Sequence, residues 1–99
     1  LLKVTNDVNE FIAEDECVVY FTATWCSPCK QLKPHYGKVA VMDPETNYYM
    51  VDVDEMTANM LEYYNLKSIP QIFVMNKGEI LKPILSRTSE GILGELGKA

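Results

Sequence analysis

The stretch Cys17-Val18-Val19-Tyr20-Phe21-Thr22-Ala23-Thr24-Trp25-Cys26-Ser27-Pro28-Cys29-Lys30 decides how the whole chain is read. Its first six residues are a continuous run of apolar, β-branched and aromatic side chains. Such a run suits a strand buried on both faces, as at the centre of a parallel sheet. Ala23-Thr24-Trp25 then leads into two cysteines with two residues between them. From Lys30 to Met42, Leu32, Tyr36, Val39 and Ala40 recur at helical spacing. The cysteine pair therefore sits where a buried strand ends and a helix begins.

Upstream, Leu2 and Val4 predict a short first strand. Asn6 or Asp7 is placed to cap a short helix carrying Val8, Phe11 and Ile12 on one face. Glu14-Asp15-Glu16 reads as a solvated turn. Downstream, Pro34 falls inside the predicted helix and should kink it, and Asp43-Pro44 ends it. Tyr48 to Asp54 predicts a strand with Tyr49, Val51 and Val53 on one face. Glu55 to Tyr64 predicts a helix with Met56, Met60, Leu61 and Tyr64 as its apolar positions. Asn65-Leu66-Lys67-Ser68 is a loop before Ile69-Pro70, and Gln71 to Met75 is a strand. Asn76-Lys77-Gly78 is a tight hairpin turn, and Glu79 to Leu85 returns antiparallel, with Pro83 marking an edge strand. Ser89 is placed to cap a last helix with Ile92, Leu93 and Leu96 inward. Gly91, Gly94 and Gly97 would each cost that helix about 1 kcal/mol relative to Ala. The order β-α-β-α-β-α-β-β-α predicts an α/β protein: a mixed central sheet with helices on both faces, as one domain over residues 1–99.

Composition narrows the function. The chain has 99 residues, with 47% hydrophobic and 23% charged, which is ordinary for a globular domain. Nine basic residues against fourteen acidic ones give a net charge of −5. That balance disfavours nucleic acid and an anionic membrane surface as partners. No apolar run is long enough to span a bilayer. Leu1 to Asp7 has neither the basic n-region nor the apolar h-region of a signal peptide, and the chain does not begin with Met, which leaves an upstream segment open. The three cysteines are an odd number, unlike a secreted disulfide scaffold.

The placement of Cys26 and Cys29 carries a chemistry. The first turn of a helix presents unpaired N–H groups and partial positive charge. A thiolate there is stabilised, so its pKa falls from about 8.5 toward about 7. The i, i+3 spacing puts both sulfurs on one face, close enough to bond, and Pro28 stiffens the turn without needing an N–H partner. Cys26 as thiolate attacks a substrate disulfide. Cys29 then attacks Cys26 and releases the reduced substrate. The more exposed cysteine should be the one of low pKa, and the inner one the resolver. Two other readings stay open on the residues alone: half of a zinc site, completed by Cys17 and His35, and an inert core pair. Cys17 itself reads as a small core residue, with a regulatory or dimer-forming thiol as the alternative.

The segment Phe21 to Lys30 closely resembles the active-site segment of thioredoxins. The resemblance continues through Pro34, Asp52-Val53-Asp54, Ile69-Pro70 and Lys77-Gly78-Glu79, and so covers essentially the whole chain. It implies the thioredoxin fold. It also implies Cys26 as nucleophile and Cys29 as resolving thiol. Trp25 would cover the pair and touch substrate. Pro70 would be cis and pack against the disulfide, and Ile69 would offer its backbone to an extended peptide. A plain proline between loop and strand is the alternative reading of Pro70. The implied activity is that of a protein-disulfide oxidoreductase acting as a reductant, with no organic cofactor and no metal. Its partners would be protein disulfides and a thioredoxin-reductase-type flavoprotein, and it would work as a monomer in the cytoplasm. The alternatives are a glutaredoxin-like or isomerase-like enzyme, or a binding module on the same fold.

Four departures from the family pattern stand out. Ser27 replaces the usual glycine between the cysteines. Tyr20 stands where the family has a buried Asp, and Met50 where that Asp has a Lys partner. With an ordinary pKa of about 10, Tyr20 is a poor base near neutrality and reads as a core aromatic. Ser86 occupies the place of a glycine near the active surface, where a side chain is expected to narrow the substrate groove. The first strand and the last helix are expected to be short.

Overall fold

The structure, a computed structural model, describes residues 2–5, 9–64, 66 and 68–98. Five strands, β1 (Leu2–Thr5), β2 (Cys17–Thr22), β3 (Tyr48–Asp52), β4 (Gln71–Asn76) and β5 (Glu79–Ile84), form one sheet in the order β1-β3-β2-β4-β5. β1 and β2 run parallel to β3, whereas β4 runs antiparallel to β2 and β5 antiparallel to β4. Three α-helices connect strands, α1 (Asn9–Ile12), α2 (Ser27–Met42) and α3 (Ala58–Tyr63), and α4 (Ser89–Glu95) follows β5. This is the mixed sheet and element order that the sequence predicts. Among the described residues no helix is long and apolar enough to cross a membrane.

β2 is central because its side chains are apolar on both faces. Val18, Val19, Tyr20 and Phe21 are all buried. Alternate residues point to opposite sides. On one side Tyr20 packs on Tyr36 of α2 at 4.9 Å between ring centroids, and Tyr36 meets Tyr48 edge-on at 5.7 Å. On the other, Phe21 meets Tyr64, at the end of α3, and Phe73 of β4, while Phe11 of α1 meets Tyr49. α4 packs along α2. The sheet is thus covered on both faces, and burial of each such side chain contributes about 1.5–3 kcal/mol. The outermost strands are blunted: β5 carries Pro83 and β1 is four residues long.

Local polar groups move several predicted boundaries. The Asp52 carboxylate accepts the Asp54 N–H at 2.9 Å, which ends β3 and starts a 3₁₀ turn over Val53–Glu55. The Thr57 hydroxyl accepts the Met60 N–H, so α3 begins only at Ala58 and not at Glu55. In the last helix, Thr88 and not Ser89 is the cap, with its Oγ1 accepting the Gly91 N–H. The helix α2 runs through Pro34, which leaves the Lys30 carbonyl without its intrahelical donor. The hairpin turn has positive φ at both Lys77 (49°) and Gly78 (83°), and a Cβ on Gly78 would lie 2.6 Å from Cγ1 of Ile12. The expected cap residues Asn6 and Asp7, with Val8, and the loop residues Asn65 and Lys67 lie outside the described residues.

The glycines of the C-terminal helix are not equivalent. Gly97 lies beyond α4 with φ of 74°, a conformation that favours glycine. A Cβ on Gly91 would lie 2.7 Å from both Cβ and Oγ of Ser86, a short side chain that cannot swing clear. Gly94 has nothing within 4 Å of that position. Gly94→Ala is expected to stabilise the protein by about 0.5 kcal/mol through helix propensity. Gly91→Ala is expected to destabilise it by about 1 kcal/mol despite the same propensity gain. Urea melts of the two variants check this; equal shifts in midpoint would contradict it.

Candidate active site

β2 ends at Thr22, and the chain crosses Ala23-Thr24-Trp25 before α2 starts at Ser27. Cys26 is the N-cap of α2, with extended backbone, and its N–H donates to the Ala23 carbonyl at 3.3 Å. Its Sγ accepts the backbone N–H of Cys29 at 3.2 Å. A sulfur thus takes the place that a serine or aspartate oxygen usually holds at a helix start. Cys26 and Cys29 are joined as a disulfide with their Cα atoms 5.2 Å apart. Both are covered in this oxidised form, Cys26 at 5% exposure and Cys29 at 1%. The order of exposure is the expected one, with Cys29 the inner residue, but the margin is small.

The residues around the pair come from three separate segments. Trp25 is 66% exposed, and its indole N–H donates to the Asp54 carboxylate at 3.0 Å. The Ile69–Pro70 peptide bond is cis, with Pro70 buried and Ile69 half-buried. A cleft of about 430 Å³ runs between Trp25, Val53, Leu61 and Ile69. A second cleft lies on the other side of the loop and is lined by both Pro28 and Pro70. Trp25, Cys26, Cys29, Ile69 and Pro70 are therefore gathered at one end of the sheet. The sequence does not mark Asp54 as the anchor of the indole: Asp52, Asp54 and Glu55 stand close together, and nothing in their order distinguishes the one that faces the tryptophan.

Beneath the pair, the Tyr20 hydroxyl donates to the Cys29 carbonyl at 3.0 Å. Burial pushes the Tyr20 phenol above its usual pKa, so it is a neutral donor and not a base. Tyr20 is a core aromatic, as expected, with the added task of holding the first turn of α2. Met50, where a lysine partner would stand, is buried and apolar. Cys29 also borders a cavity of about 290 Å³ lined by Thr22, Thr24, Lys30, Lys33 and Asp52. Ser86 lies against Gly91, donates its N–H to the Glu95 carboxylate at 2.7 Å, and lines neither of the two clefts beside the Ile69–Pro70 loop.

The alternative zinc set does not assemble. Cys17 begins β2 and Cys26 follows its end, so a strand of about 17 Å separates them. His35 has its Nδ1 engaged by the Ser89 N–H at 3.3 Å. Among the described residues no group of three or more His, Cys, Asp or Glu side chains is placed to hold a metal ion.

A disulfide held at the helix start that follows a central strand, flanked by an anchored indole and a cis-proline loop, defines a dithiol–disulfide redox domain. Comparison with known proteins makes this specific. The thioredoxin family model matches residues 2–95. Thioredoxin H3 of Arabidopsis thaliana is 31% identical over 97 residues, covering 98% of this chain and 77% of the relative. Thioredoxin-1 of Saccharomyces cerevisiae is 28% identical, covering 91% of this chain and 87% of the relative. A solved thioredoxin of Plasmodium falciparum superposes with a TM-score of 0.81 at 27% identity, over 97% of each chain. A segment of rat protein disulfide-isomerase A4, 15% of that protein, is 32% identical to 94% of this chain. The chain belongs to the thioredoxin family, and it is a thioredoxin-like thiol–disulfide oxidoreductase.

The third cysteine is separate from this chemistry. Cys17 is free and buried. Burial, with Glu14 and Glu16 nearby, pushes its thiol up to about 12. Iodoacetamide at about pH 8, well below that value, is expected to label Cys26 of the reduced native protein and to leave Cys17 unmodified until the protein is unfolded. Peptide mass mapping reads this, and native labelling of Cys17 would contradict its burial.

Proposed function

We propose that residues 1–99 act as a single thioredoxin-like domain that reduces protein disulfides by cycling Cys26 and Cys29 between dithiol and disulfide. The observation that carries this is the Cys26 Sγ at the N-cap of α2, accepting the Cys29 N–H. The same N–H, with the helix-start charge, stabilises a thiolate at Cys26 once the pair is reduced. The Cys26 thiolate attacks one sulfur of a substrate disulfide. A Cys26–substrate bond forms, and the other substrate sulfur leaves as thiolate and is protonated. Cys29 then loses its proton and attacks Cys26, expelling the second substrate thiolate. The substrate gains two electrons and the cysteine pair loses two. The proton of Cys29 passes to the departing thiolate or to solvent, because Tyr20 is a neutral donor that cannot accept it.

Trp25, Ile69 and Pro70 form the substrate-binding surface. Asp54 fixes the indole of Trp25, and the Ile69 backbone pairs with an extended substrate in strand fashion. The domain carries out electron transfer as a monomer in a reducing compartment, the cytoplasm, with a thioredoxin-reductase-type flavoprotein supplying electrons and no cofactor of its own. An isomerase-like role is the second reading, favoured by the similarity to part of rat protein disulfide-isomerase A4.

Dithiothreitol-driven insulin reduction tests the proposal. The wild type is expected to accelerate it, Cys26→Ser to drop to the rate of dithiothreitol alone, and Cys29→Ser to accumulate a mixed disulfide with insulin. A redox titration separates the two roles: a reductant sits near about −270 mV and an isomerase near about −180 mV. A wild type no faster than dithiothreitol alone, or a potential near about −120 mV, would overturn the reductase assignment.

A further inference from the structure

The two flanks of the Ile69–Pro70 loop differ in chemistry. The flank toward Trp25 is largely apolar. The opposite flank is a cleft of about 380 Å³ lined by Pro28, Gln31, Leu32, His35, Pro70 and Arg87. Among the described residues no acidic one lines it. Arg87 is exposed, and its Nη1–H makes a long hydrogen bond, 3.4 Å, to the Pro70 carbonyl. That contact moors the guanidinium beside the buried proline. A guanidinium has five N–H donors, and among the described residues this is the only acceptor it meets. None of the described carboxylates lies within 4.0 Å of it, in a chain with fourteen acidic residues. His35 accepts the Ser89 N–H on Nδ1, so a neutral ring keeps its proton on Nε2 as a further donor. Gln31 adds a carboxamide. The cleft is therefore rich in donors, carries a positive charge that no described side chain neutralises, and is lined by Pro28, which stands between the two cysteines in the chain.

We propose that this cleft is a specificity site for an acidic side chain, Asp or Glu, next to the disulfide cysteine of a protein substrate. Arg87 is its charged partner. The carboxylate suits the planar fork of the guanidinium, whereas a lysine at the same place meets like charge. The site would pair an acidic residue on one side of the substrate cysteine with an apolar one on the Trp25 side. The proposal rests on the reductase reading given above. It also runs against the field of the whole chain, whose net charge of −5 favours basic substrates. A preference for acidic substrates would therefore mark a local cation.

The test uses disulfide-linked peptides identical except for Glu, Gln or Lys beside the attacked cysteine. The reduced full chain is expected to act on the Glu peptide with kcat/KM about tenfold above the Lys peptide at low salt, the ratio falling below about threefold at about 0.5 M salt. Arg87→Gln is expected to bring the Glu/Lys ratio close to one, and Arg87→Glu to invert it. Comparing peptides within one variant removes any effect of the substitution on folding or on the reactivity of Cys26. A wild-type ratio near one at low salt, or a Glu preference that survives in Arg87→Glu, overturns the proposal. Reduction of the Gln peptide keeps the two levels apart. If it is reduced while the ratio is one, only the specificity site fails; if it is not reduced at all, the reductase reading fails with it.

Discussion

One hydrogen bond organises this molecule: the backbone N–H of Cys29 donated to the sulfur of Cys26 at the first turn of α2. It places a reactive atom at the spot where a helix most favours negative charge. It also requires that a buried strand deliver the chain to the helix start in one orientation. β2 meets that requirement through burial on both faces, with its neighbours β3 and β4 fixing its position. α2 meets it through Leu32, Tyr36, Val39 and Ala40, which seat the helix on the sheet. The helix start is thus held from both sides before any substrate arrives, which is the condition for a site whose geometry must not relax.

Tyr20 shows how a departure from a family pattern is accommodated. A carboxylate at this position would offer a base beneath the resolving cysteine. The phenol instead reaches the Cys29 carbonyl and donates to it, and Met50, its neighbour on β3, is buried and apolar. The buried phenol O–H is thereby satisfied, and the phenol, kept neutral by burial, is a donor and not a base beneath Cys29. Tyr20 and Met50 suit each other as neighbours. A buried tyrosine beside a lysine, or a buried aspartate beside a methionine, would leave a charge uncompensated.

Much of this was legible in the sequence, for physical reasons. The apolar run Cys17 to Thr22, the Cys-x-x-Cys after it and the Ile69-Pro70 pair are strong local signals, and they fix the sheet centre and the cysteines. Boundaries set by single side-chain hydrogen bonds were not legible. Asp52 captures a backbone N–H that ends the predicted strand two residues early, and Thr57 captures one that starts the predicted helix three residues late. Thr88 and Ser89 are both competent caps, and only their register against α4 selects the former. The long-range partners were equally hidden. Asp54 is 29 residues from Trp25, and Arg87 is 17 from Pro70. No spacing rule connects residues brought together only by the return of the chain across the sheet.

The central claim is that the helix start activates Cys26. The pH dependence of its alkylation in the reduced wild type measures this directly, because the buried Cys17 does not compete. The rate is expected to rise with a midpoint of about 7, well below the value of about 8.5 for a free thiol. A midpoint at about 8.5 or above would show that the Cys29 N–H and the first turn of α2 do not stabilise the thiolate, and would contradict the account.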